Sequence, residues 1–406
     1  NLYGVDFRAG INNPTYKYYI DFAAEHGIEY VILDEGWAVN LQADMMQVIP
    51  EIDLQELVDY GKSKNVGIIL WAGYWAFARD MENVVKHYSD MGVKGFKVDF
   101  LDRDDQEMVN FVYKASEVCA KYKMLVDFHG VFKPTGLQRT YPNVLNYEGV
   151  NGLEQMKWSS EKEFDMVTYD VTIPFIRMIA GPMDYTQGAM RNAARGNHRS
   201  VNSEPMSQGT RCRQLATYVI FESPFNMLCD APSNYRREKE CTEFISNIPT
   251  IWDETVSLAG KVSEYVAIAR RHGNDWYIGA LTNWTPRELD LDLSFLGEGD
   301  YTLELFKDGI NADRAARVDN QDRGFHRVCL CFFIFRKCVR RWPSSLRPSR
   351  RASVLSAPRL FRRRTAHRPI RCVRRGGVRA SGRDSRFRGR CRAAPSPAPR
   401  RPACSF

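Results

Sequence analysis

The chain has 406 residues, 44% of them hydrophobic, and a formal net charge of +8. It contains no apolar run of about eighteen residues, which argues against a membrane partner through a spanning helix. The charge averages two unlike parts: residues 321–406 hold 24 Arg and one Lys against two Asp, and residues 1–320 hold 32 basic against 47 acidic side chains. A nucleic-acid partner would therefore need a folded basic face in the tail alone, so none is expected. The four cysteines before residue 320 (Cys119, Cys212, Cys229, Cys241) show no C-x-x-C metal spacing and fix no redox compartment. The start at Asn1, without a charged-then-apolar leader, implies a signal peptide that was removed or never included.

In chain order, Leu2–Phe7 is a short apolar run and Pro14–His26 is helix-like, with Tyr16, Tyr19, Ile20 and Ala23 on one stripe and Gly27 as its stop. Tyr30–Leu33 is a strand signal that runs into Asp34 and Trp37. Asp53–Asn65 has helical spacing through Leu54, Leu57, Val58 and Gly61. Gly67–Gly73 reads as a strand, Met81–Met91 as a helix, Gly95–Leu101 as a strand and Asp105–Tyr122 as a helix. Leu125–Phe128 and Val144–Tyr147 are further strand signals, ending in His129-Gly130 and Glu148-Gly149. Six strand signals with intervening helices, each ending in polar or aromatic groups, predict an α/β fold: a (β/α)₈ TIM-type barrel over residues 1–260. Its last two strands are expected near Pro174–Ile179 and Val219–Leu228.

Tyr265–Ala269, Trp276–Leu281, Glu288–Leu293 and Tyr301–Leu305 are short, separated by turn residues, and predict a small antiparallel β-sandwich domain over 261–320. Residues 321–406 lose all periodicity. Their Arg excess and six cysteines read better as a shifted reading frame, without a core, than as a basic tail.

The central stretch is Gly95–Leu101, where Phe96, Val98 and Phe100 alternate with Lys97 and Asp99. A parallel strand packed on both faces should be nearly all apolar, and an unpaired buried charge is costly. Lys97 and Asp99 therefore form a structural pair or point into a polar site at the carboxyl end of the strand. The strand ends together offer Asp34, Trp37, Trp71, Tyr74, Lys97, Asp99, His129, Glu148 and Glu154. Carboxylates with tryptophans suit a sugar site, in which aromatic faces stack on C–H-rich rings and acids bond hydroxyls or catalyse. Asp34, Trp37, Trp71, Lys97 and His129 are the candidate substrate-binding residues; the tryptophans and His129 could equally be core. No Gly-rich phosphate loop follows the first strand, which argues against a nucleotide cofactor.

Four segments make the reading specific: Gly95–Asp105, Asp127–Gly136, Asn146–Glu154 and Ala180–Ala189. Over roughly Leu2 to Arg317 the chain resembles glycoside hydrolase family 97, a family of bacterial α-glycosidases with inverting α-glucosidases and a retaining group that includes α-galactosidases. The resemblance implies an N-terminal β-super-sandwich, a (β/α)₈ barrel and a C-terminal β domain, of which the first has no counterpart here. It implies Asp99 as the nucleophile, Glu154 as the acid/base and Glu148 as a ligand of a Ca²⁺ cofactor. Gly130 falls where the inverting group has its base. The expected activity is that of an exo-acting retaining α-glycoside hydrolase, an α-galactosidase, acting on an α-galactoside or oligosaccharide in a bacterial periplasm or outside the cell. The alternatives are an α-glucosidase of the same family and an inactive carbohydrate-binding homologue.

Overall fold

The computed structural model describes residues 9–39, 42–298, 301–308, 312, 330–337 and 387–390; the run Leu2–Phe7 lies outside them. Five parallel strands form one sheet in chain order: β1 (Tyr30–Leu33), β2 (Gly67–Gly73), β3 (Gly95–Asp99), β4 (Leu125–Phe128) and β5 (Val144–Tyr147). Helices Leu54–Ser63, Met81–Met91 and Gln106–Lys121 fill the crossovers and lay apolar stripes on the sheet. Their starts follow side-chain chemistry: Asp53 accepts from the Glu56 N–H and Asp105 from the Met108 N–H. The helix Met81–Met91 stops at Gly92, in the left-handed region at φ 106°. Phe96, Val98, Phe128 and Leu70 have no exposed surface, each contributing about 1.5–3 kcal/mol by burial.

The register of this sheet builds the site. Trp71 pairs with Lys97, Lys97 with Asp127, and Asp127 with Asn146, so one row across four strands carries polar or amphipathic side chains. Phe100 (φ 61°) and Asp102 (φ 48°) then break the strand two residues earlier than its apolar alternation predicts.

The two later strands expected from sequence are not strands. Pro174 lies in the short helix Ile173–Ile176, followed by a 3-10 turn at Met178–Ala180, and Val219 ends the helix Arg211–Ile220. Irregular backbone follows β5 instead. Asp184 N–H donates to Tyr147 O (2.8 Å) and Met183 N–H to Glu222 O (2.8 Å). Asn146 reaches Ser223 Oγ (2.8 Å), and the Phe225 ring meets Tyr30 of β1 edge-on at 5.8 Å.

The antiparallel sheet has the order Tyr301–Lys307, Leu330–Lys337, Asp275–Thr282, Tyr265–His272, Glu254–Lys261. It begins at Glu254, inside the segment that composition assigns to the barrel, because Val256 and Leu258 alternate too briefly to stand out before a register shift between Ser257 and Ala259. It also takes Leu330–Lys337 from beyond Asn320, pairing it on both edges, with Ile334 buried. The apolar run Leu330–Phe335 has the β-branched and aromatic content of a strand, and overall composition hides it. Glu288–Leu291 pairs with Phe387–Arg390. The rest of the segment read as out of frame lies outside the described residues. Among the described residues no helix is long and apolar enough to cross a membrane.

Candidate active site

The carboxyl ends of β1 to β5 converge on a cluster of charges. Lys97 is 2% exposed, with Nζ 2.8 Å from Asp34 Oδ2 and 3.8 Å from Asp99 Oδ2. Burial alone would lower the ammonium's pKa, but Asp34 and Asp99 outweigh it and hold it above the ordinary range. Burial likewise opposes ionisation of Asp34, and the Lys97 charge overrides it, holding that carboxyl well below its usual value. Lys97 is therefore a permanent cation behind Asp99.

Asp99 is fixed at both oxygens. Oδ2 accepts from Trp71 Nε1–H at 3.1 Å, and Oδ1 accepts from the Phe100 N–H at 2.7 Å. The left-handed backbone at Phe100 follows directly after Asp99, and the Phe100 ring packs edge-on against Trp71 at 5.5 Å. The carboxylate remains 15% exposed. It is a nucleophile-like arrangement: pre-oriented, flanked by a cation, and open to solvent.

On the next strands His129 is 2% exposed, with Nε2 2.5 Å from Asp184 Oδ2 and 3.4 Å from Asp127 Oδ2. Its Nδ1 faces Glu148 Oε1 at 3.7 Å. Burial and Lys97 would lower the imidazole's pKa, yet Asp127 and Asp184 raise it well above its ordinary value. Burial, and then the neighbouring Asp127, push Asp184 up to about 7. Glu148 is raised chiefly by burial, against the pull of His129 and of the Gly130 N–H that donates to Oε2 at 2.7 Å. Among the described residues, neither oxygen of Asp127 has a hydrogen-bond partner.

Among the described residues two groups could hold a metal: Asp99 with His129 and Glu148, and Asp127 with His129 and Asp184, each set of ligand atoms lying within 4.8 Å of one another. Calcium takes about six to eight oxygens. Glu148 fits as one such ligand, and the remainder would have to come from elsewhere.

Of the residues singled out from sequence, Asp34, Trp71, Lys97, Asp99, His129 and Glu148 come together here. Trp37 is 1% exposed and packs against Tyr88 in the core, its indole N–H donating to Trp71 O at 2.9 Å. It also lines a cavity of about 240 Å³ beside Trp71, Tyr74, Trp75 and Phe100. Glu154 lies in the 3-10 turn Leu153–Lys157, where its ion pair is with Lys157 at 3.2 Å. Asp127 and Asp184 are further functional candidates, which the sequence reading carries inside its family segments without giving either a role.

Family models match two parts of the chain: "Glycoside hydrolase 97" over residues 1–150 and "Glycosyl-hydrolase 97 C-terminal, oligomerisation" over residues 251–326. A retaining α-galactosidase of Bacteroides thetaiotaomicron is 70% identical over 317 residues, covering 78% of this chain and 48% of that protein. A probable retaining α-galactosidase of Streptomyces bingchenggensis is 32% identical, covering 74% of this chain and 45% of that protein. The chain thus spans about half the length of these curated relatives. A family 97 enzyme of Pseudoalteromonas sp. strain K8, solved with acarbose, superposes with a TM-score of 0.69 at 27% identity, covering 83% of this chain and 58% of that one. A β-arabinopyranosidase superposes with a TM-score of 0.65 at 29% identity, over 75% of this chain and 49% of that one. With strand-end acids, two family models and close relatives in agreement, the chain belongs to glycoside hydrolase family 97.

Proposed function

We propose that this chain carries the catalytic residues of an exo-acting retaining α-galactosidase. The observation that carries the reading is the pairing of an oriented Asp99 with a closed position at Gly130. Gly130 sits at φ 54°, and a Cβ there would lie 2.8 Å from Asp102 Oδ1, 3.2 Å from Leu101 N and 3.3 Å from Phe100 N. A base-bearing side chain has no room at that point, which disfavours the inverting route. The 70% identical relative supports galactose as the sugar. The irregular segments around Asp184 and Ser223 support a barrel in which they take the places of the two later strands.

In this reading Asp99 attacks the anomeric carbon as the glycosidic bond breaks, and Glu154 gives its proton to the leaving oxygen. A covalent β-galactosyl ester forms on Asp99. Glu154 then takes a proton from water, which displaces Asp99 and releases α-galactose. Retaining pairs stand about 5–5.5 Å apart, because the covalent step leaves no room for an intervening water. Lys97 lies 3.8 Å from Asp99, and Trp71 with the Phe100 N–H orients the attacking carboxylate. Asp34, through Lys97, and His129 stand beside Asp99 as candidate hydroxyl partners, while Trp37 lines the cavity next to Trp71. A Ca²⁺ on Glu148, when bound, would supply positive charge at the pocket rim.

The test is proton NMR of the first sugar released from an aryl α-galactoside, run with Ca²⁺ and with a chelator. α-Galactose appearing first, with activity lost on chelation, is the expected result. β-Galactose appearing first would overturn the role of Asp99, and chelator-insensitive turnover would overturn the metal. Hydrolysis of the α-glucoside alone would favour the α-glucosidase alternative.

A further inference from the structure

Arg177 stands between the helix Ile173–Ile176 and the 3-10 turn Met178–Ala180, and it is 7% exposed. Among the described residues it forms no ion pair. Its guanidinium donates only to main-chain carbonyls. Nε reaches Gly149 O (2.9 Å) and Nη1 reaches Gly181 O (3.1 Å). Nη2 is shared by Tyr147 O (3.2 Å), Glu148 O (3.1 Å) and Pro182 O (2.8 Å). A buried cation without a carboxylate partner is costly, and burial draws this one down to about 10 without discharging it at neutral pH.

The five carbonyls belong to two segments. Tyr147–Gly149 closes β5, carries Glu148, and leads through Gly149-Val-Asn-Gly152 to Glu154. Gly181–Pro182 precedes Asp184, the partner of His129. The stretch leading to Glu154 is thus tied at its start by Arg177, at Asn151 by an N–H that donates to the Tyr169 hydroxyl (2.9 Å), and at Leu153 by an N–H that donates to Tyr185 O (2.9 Å). It contains Gly152 and no regular structure, and Glu154 itself pairs with Lys157, so the placement of the turn rather than the strand sets where that carboxyl stands.

We propose that Arg177 is a positioning residue for the acid/base: it clamps Tyr147–Gly149 to Gly181–Pro182 so that the intervening turn presents Glu154 to the leaving oxygen. The proposal rests on the reading of Glu154 given above. Arg is suited to the task because its planar fork offers five donors in fixed directions, which an ammonium cannot reproduce.

The test compares Arg177→Lys and Arg177→Met with the parent on aryl α-galactosides of graded leaving-group acidity. A mispositioned acid matters most where the departing oxygen needs a proton. For a 2,4-dinitrophenyl galactoside kcat/KM should therefore fall by less than about 5-fold, while for a phenyl or methyl galactoside it should fall on the order of 10²-fold, carried by kcat rather than KM. An equal loss across the series would overturn the proposal, as would no loss. If Arg177→Met does not fold, Arg177→Lys, which keeps the cation, gives the reading. Hydrogen exchange separates this proposal from the function itself. In Arg177→Lys, peptides over residues 147–154 should lose protection while those over Gly67–Gly73 keep it; unchanged protection overturns the clamp even if the parent shows no galactosidase activity, a result that would count against the proposed function instead.

Discussion

A cation that water barely reaches sets the chemistry of individual residues. Lys97 has 2% exposure and two aspartates as counter-charges, so removing Asp34 leaves it only the more distant Asp99 at 3.8 Å. Breaking a buried pair costs about 3–5 kcal/mol, and Asp34, whose side chain keeps 31% exposure, belongs at the lower end. The sign of the pH dependence follows from the depressed value of Asp34. Its contribution is fully present above the unfolded value of about 3.9 and is lost as pH falls through the folded value. Asp34→Asn should therefore be less stable than the parent at pH 7, with the gap closing toward pH 2, as read by denaturant unfolding at both. A gap of the same size at pH 2 would assign the effect to shape rather than charge.

Elements place these residues, and one glycine shows how tightly. Gly130 joins β4 to the loop after β3: its carbonyl accepts from the Asp102 N–H, and its own N–H holds Glu148. Gly130→Ala would add left-handed strain of about 1–3 kcal/mol and drive a Cβ into Asp102. Calorimetry should show a lowered Tm, and the site should lose activity as Phe100–Asp102 shifts; an unchanged Tm would mean the loop yields freely. β1 to β5 were legible because buried parallel strands are written as β-branched runs that stop at polar residues. The backbone beyond β5 was not, because Met183-Asp-Tyr-Thr-Gln187 and the stretch near Ser223 are polar and make single backbone contacts instead of ladders. Val219 and Ile220 read as strand residues, yet they finish a helix in which Arg213, Gln214 and Thr217 are buried too, so burial does not follow polarity along it. Asp99, Lys97 and Glu148 could be read from strand ends. The bracketing of His129 by Asp127 and Asp184 joins positions 55 residues apart and leaves no local pattern.

For the whole molecule, buried polar ties join the antiparallel sheet to the helices that follow β5. Arg213 bonds Asp170 Oδ2 (3.1 Å), Val167 O (2.7 Å) and Thr282 O (2.9 Å), while Arg270 reaches Ile220 O (3.0 Å). Loss of the sheet would strand these groups, so its integrity matters to the catalytic part. Leu330–Lys337 is an interior strand of that sheet. Ending the chain after Asn320 should accordingly lower stability and soluble yield, whereas ending it after Lys337 should preserve both apart from the small ladder at Glu288–Leu291. Equal behaviour of the two truncations in thermal unfolding would show that the strand is dispensable.

The burial of Lys97 also bears on how such a gene can decay. A lineage relieved of selection for catalysis is free to lose Glu154 or Glu148 early, since both sit in partly exposed turns. Asp34 and Asp99 are different, because each is the neutralising partner of a charge inside the core. Drift at either is purged for folding long after it has ceased to matter for turnover, unless Lys97 is lost at the same time. Inactive descendants should therefore keep the lysine–aspartate trio intact and show their first substitutions at the acid/base, so that an undisturbed Asp99 by itself is no proof of an active enzyme.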